Sequence, residues 1–76
     1  VPAGDVAAAD RAIARAVKSG ADQWAPKDLL LAREKMALTR RLLAAGDPKP
    51  ARWLAQQAQV DAELATVKAV YTSAHR

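Results

Sequence analysis

Apolar side chains recur along this chain at intervals of three and four residues, and β-branched residues are few and never alternate with period two, a pattern of helices and not of strands. Behind Asp5, a capping residue, Val6, Ala9, Ile13, Ala16 and Val17 keep helical spacing until Ser19-Gly20, which predicts a first helix over 5–19 with Gly20 just past its end. Residues 21–25 read as a linker. Pro26 then suits the first position of a second helix, where its missing N–H costs nothing, and that helix runs to Ala45 before Gly46 ends it. Counting from Pro26 makes Trp24 and Leu29 the N′ and N4 residues of a hydrophobic staple, so Trp24 and Pro26 are read as structural. The turn Asp47-Pro48-Lys49-Pro50 breaks the chain, and a third helix is predicted over 50–72. The expected fold is all-α, a single domain over 1–76: a three-helix bundle in which the short turn makes the second and third helices a long antiparallel hairpin.

Across that hairpin, facing residues should have numbers that sum to about 94 or 95, because the turn centres near residues 47 and 48. Leu29, Ala32, Met36 and Leu43 then face Ala65, Ala62, Ala58 and Ala51, a seam that sets large residues mostly against small ones. The same rule sets Arg33 opposite Asp61 as a register pair, read as structural. Each helix also carries a second apolar row: Trp53, Val60, Leu64, Val67 and Tyr71 on the third, with Gln57 completing the series, and Leu31, Leu38, Leu42 and Ala45 on the second. At 100° per residue both rows point away from the alanine seam by roughly 130° or more. The first helix, with only Val6, Ile13 and Val17 as sizeable apolar groups, cannot easily cover both. Two readings stay open: an ordinary bundle whose surplus row is shielded by long Lys and Arg stems, or a homo-oligomer or partner interface formed by Trp53, Val60, Leu64, Val67 and Tyr71.

Composition changes this picture in one respect. Half of the 76 residues are apolar, 51%, yet only Trp24, Trp53 and Tyr71 are aromatic and most of the apolar count is alanine, so the helices can approach closely over a thin core. No apolar run approaches the length that spans a bilayer, and the start Val1-Pro2-Ala3-Gly4 reads as a processed or trimmed end. The net charge of +4 brings electrostatic binding of nucleic acid or anionic lipid into view as the alternative function. Against it, Arg11, Arg15 and Lys18 share a face of the first helix, but Arg33, Arg40, Arg41, Lys27, Lys35, Lys49, Arg52, Lys68 and Arg76 are interspersed with acidic residues, and no helix concentrates base-reading side chains.

Catalytic chemistry has no candidates. There is no cysteine, the one histidine is His75 near the C-terminus, Asp61 and Glu63 diverge on their helix, and no glycine-rich phosphate loop occurs. No catalytic, metal-binding or cofactor-binding residue is expected, no small-molecule substrate, and no enzyme activity.

Two segments do carry a resemblance. Gly20-Ala21-x-x-Trp24-Ala25-Pro26-x-Asp28-Leu29-x-x-Ala32-Arg33-x-Lys35-Met36 and Ala51-x-x-Leu54-Ala55-x-Gln57-Ala58-x-x-Asp61-Ala62-Glu63-Leu64-Ala65-x-x-Lys68-Ala69 resemble a family of uncharacterised alanine-rich helical domains of bacterial envelope proteins. Trp24, Asp28 and Met36 stand where that family usually has Tyr, Glu and Leu. The resemblance implies a domain of unknown function found in small lipoproteins or ahead of an OmpA-like peptidoglycan-binding domain, hence a periplasmic location, with any membrane attachment through a lipid anchor preceding Val1. The expected function is a non-enzymatic interaction or spacer module of the cell envelope, with a second copy or an envelope protein as partner.

Overall fold

A computed structural model describes residues 2–75, with side chains from Gly4 onward, so Val1 and Arg76 lie outside the described residues. Four helices follow in order, α1 (Pro2–Lys18), α2 (Ala21–Trp24), α3 (Pro26–Ala44) and α4 (Pro48–Ala74), and the described residues contain no strand. The all-α expectation and the hairpin of the two long helices, here α3 and α4, both hold.

Several boundaries differ from the sequence reading, each for a physical reason. The first helix begins at Pro2 and not with Asp5 as its cap; Asp5 lies in the first turn, where a carboxylate suits the helix dipole, and its Oδ2 forms an ion pair with Arg52 Nε at 2.8 Å. It ends at Lys18, with Gly20 in the left-handed region (φ 87°) that a β-carbon disfavours. A β-carbon there would also stand 3.1 Å from Trp24 Cδ1. The stretch read as a linker contains the single turn α2, too short to show any periodicity, in which Trp24 N–H donates to Gly20 O at 2.9 Å. The second long helix ends at Ala44, with Ala45 as its cap. Its termination is a Schellman motif: Asp47 N–H donates to Leu42 O and Gly46 N–H to Leu43 O, with Gly46 at φ 78°. The last helix starts at Pro48, not Pro50, and continues to Ala74, beyond Thr72; both prolines fit inside a first turn whose N–H groups have no intrahelical partner anyway.

The helices run up, down and up. Ala9, Ala12 and Ala16 of α1 rise alongside Ala55, Ala62 and Ala65 of α4, while α3 descends against α4 on its other edge. The interior forms three layers. Ala16, Ala21, Ala25, Leu29, Ala65 and Ala69 fill one, with Ile13 and Trp24 packed on it; Ala12, Ala32 and Ala62 form the middle; Ala9, Met36, Ala55 and Ala58 fill the third. Leu29 with Ala65, Ala32 with Ala62, and Met36 with Ala58 are the facing pairs the sum rule gives. Leu43 is only half-buried, and Thr39 is the buried residue that follows Met36, its Oγ1 donating to Lys35 O at 2.8 Å. Among the described residues, twelve of the fourteen buried apolar ones are alanine, and the resulting rod is thin, 45 × 18 × 14 Å.

Asp61 is paired with Lys35, not with Arg33. Lys35 Nζ donates to Asp61 Oδ2 at 2.6 Å. The sum rule fixes the level along the helices but not the side of the seam. Residues 33 and 35 differ by about 200° around α3, so at nearly one level only Lys35 stands on the edge that Asp61 occupies.

Candidate interaction face

The alanine seam decides what the rest of α4 displays. Ala51, Ala55, Ala58, Ala62, Ala65 and Ala69 are all fully buried and follow a 4-3-4-3-4 spacing, which keeps one stripe of α4 against α1 and α3. Trp53, Val60, Val67 and Tyr71 lie close to diametrically opposite that stripe, and Leu64 somewhat less so. All five are exposed, between 45% and 65%. Gln57, within the same row, is half-buried.

The total surface shows that this exposure is not a splayed arrangement. It amounts to 4793 Å². A compact monomer of this mass presents about 4,500 Å². The amount of surface is ordinary; its chemistry is not, because the bulky side chains lie outside while alanines fill the inside. Leu31 and Leu38 are likewise exposed on α3, as expected for its second row, whereas Leu42 is half-buried and Ala45 exposed. Val17, Leu30 and Val70 add exposed apolar surface that the row analysis did not single out.

Ion pairs fasten the helices at the margins of these faces. Lys68 Nζ lies 2.9 Å from Asp28 Oδ2 and Lys35 Nζ 2.6 Å from Asp61, both across the α3–α4 edge. Asp10 accepts two hydrogen bonds of 2.8 Å from Arg40 Nη2 between α1 and α3. With Asp5–Arg52, four basic side chains among the described residues are neutralised within the fold. Leu31 and Leu38 follow Asp28 and Lys35 by three residues and are turned about 60° further outward, onto the side of the rod that α4's row also borders.

Trp24 does not join that face. It is half-buried, packs on the layer containing Leu29, and immediately precedes Ala25 and Pro26 at the start of α3. Arg33 is exposed on α3. At the other end of the exposed row, the Tyr71 ring stacks on His75 with centroids 4.1 Å apart, and His75 Nδ1 lies 2.8 Å from Tyr71 O.

A concavity lined by Leu31, Glu34, Lys35, Ala37, Leu38 and Arg41 belongs entirely to α3, and one helix cannot enclose a substrate. Among the described residues no three His, Cys, Asp or Glu side chains come together as metal ligands would, and no helix is long and apolar enough to cross a membrane.

Sequence comparison supplies the family. Residues 4–76 match the profile of a domain of unknown function, DUF4398, and the chain belongs to that family. No curated protein and no solved structure matches it.

Proposed function

We propose that this member of the DUF4398 family is a non-enzymatic interaction or spacer module, and that it acts through the exposed row Trp53, Val60, Leu64, Val67 and Tyr71 on the back of α4. The observation that carries this reading is the division of labour on α4: the alanine stripe packs the bundle, so the bulky residues opposite have no packing role within the chain. A contiguous apolar row with an aromatic residue at each end is the composition of an interface core. The resemblance to envelope proteins supports a periplasmic setting, with a lipid anchor or an OmpA-like domain in the full-length protein; the rod, 45 Å long, suits a spacer between such an anchor and the cell wall.

Photo-crosslinking in bacterial cells tests the reading. Benzoylphenylalanine at position 60 should give discrete crosslinked protein species, whereas the same group at Ala14, exposed on α1, should not. Equal crosslinking from both positions, or none from either, would remove the row as the working surface. Fractionation of the cells expressing the full-length protein tests the setting: recovery in the cytosol contradicts an envelope module.

A second function, electrostatic binding of nucleic acid or anionic lipid, rests on Arg11, Arg15 and Lys18 along one face of α1. It is the weaker reading, because four of the chain's cations are already committed to internal ion pairs.

A further inference from the structure

The exposed row reads nearly the same from either end. About Ala62, Trp53 and Tyr71 stand nine positions to either side, Gln57 and Val67 five, and Val60 and Leu64 two. From this symmetry we infer that the occupant of the row is a second copy of this chain, packed antiparallel through α4 about a two-fold axis near Ala62. The inference rests on the proposal that the row is an interaction surface and names its partner.

A two-fold contact is isologous: where one residue meets another, the reverse contact must be equally good. The row meets this requirement. Superposing its midpoint on that of an antiparallel copy puts Trp53 against the other copy's Tyr71 at both ends, and Val60 against its Leu64 twice at the centre. The spacing supports the same geometry. Trp53, Gln57, Val60, Leu64, Val67 and Tyr71 alternate steps of four and three, the a and d stripe of a two-helix seam, presented on a helix whose other stripe is already occupied. Gln57, the one polar member, would then meet Val67, with its amide free to reach the rim; a shift of register would carry the amide toward the centre.

Size and charge allow the contact. The row runs for about 27 Å along α4, on a rod 45 Å long, and a standard stable interface takes about 800 Å² from each partner. Leu31 and Leu38 extend the apolar area beyond α4 itself. On the edge next to α3, Asp61 and Lys68 are already neutralised by Lys35 and Asp28, so the partner covers ion pairs and not bare charges there.

The absence of cysteine makes the geometry directly testable. Light scattering should give a mass near twice 8.1 kDa for the wild-type chain at high micromolar concentration, falling to the monomer mass for Leu64→Glu while circular dichroism keeps its helical signal. Val60→Cys mixed with Leu64→Cys should oxidise mainly to the 60–64 heterodisulfide, because this pair is level across an antiparallel seam; Val60→Cys alone should crosslink poorly, its two copies being offset along the helices. A wild-type monomer at every accessible concentration overturns the second-copy inference, as does a dimer that forms the 60–60 disulfide and not the 60–64 one. Either result, accompanied by crosslinks from position 60 to a different protein in cells, would leave the interaction reading standing, whereas loss of those crosslinks as well would end both.

Discussion

At the scale of single residues, the fold depends on small side chains that admit no enlargement. Ala62 is fully buried in the layer it shares with Ala12 and Ala32, where three helices meet through methyl groups and the partly buried Ile13 packs against them. Ala62→Leu should therefore destabilise the chain by about 1–3 kcal/mol through overpacking. Met36, the largest fully buried side chain, presents the opposite case: Met36→Ala should cost about 2–5 kcal/mol, since the surrounding alanines cannot fill the space. Urea denaturation of both variants checks this pair, and an Ala62→Leu protein as stable as wild type would mean that the seam is looser than described. The alternation of large and small along the seam was legible in the residues themselves, because Leu29, Ala32 and Met36 have Ala65, Ala62 and Ala58 at matching distances from the turn. Thr39 was not. A polar residue reads as surface in a sequence, and only the hydrogen bond of its hydroxyl to Lys35 O makes it acceptable inside.

Among elements, register is held by ion pairs at the edges of each helix contact. Lys35–Asp61 is the most enclosed of them by average side-chain exposure, with side chains 31% and 21% exposed, while Asp28–Lys68 repeats the same link one heptad away. A double-mutant cycle of Lys35→Ala and Asp61→Ala should give a coupling of about 0.5–1 kcal/mol. The corresponding cycle with Arg33→Ala should give none beyond about 0.3 kcal/mol, and a larger value there would contradict the pairing. Sequence reasoning found the level of this contact and missed its side, because a count from the turn carries no information about which edge of a helix faces its neighbour. The ends of helices were obscured for a related reason. Pro48 and Pro50 look like breakers, yet a first turn has no use for their N–H groups; α2, a single turn, leaves no periodic trace at all. The α4 row was legible because it needed only the helical period and the observation that alanine already claimed the other stripe.

For the molecule as a whole, these levels combine into a thin rod with its volume-poor residues inside and its bulky apolar ones outside. Such a chain gains little burial from its own core, and a surface that associates would add stability by mass action. Exposed apolar area is thus tied to function here by what it is spared from doing within the fold. The most direct test of that claim is equilibrium urea unfolding of a Val60→Gln, Leu64→Gln, Val67→Gln variant beside wild type over a range of protein concentrations. The variant should unfold cooperatively with a midpoint independent of concentration, and the wild-type midpoint should climb as concentration rises. A variant without helical signal or without a cooperative transition would show that the row belongs to the core of the fold, and the division between alanine seam and displayed face would be wrong.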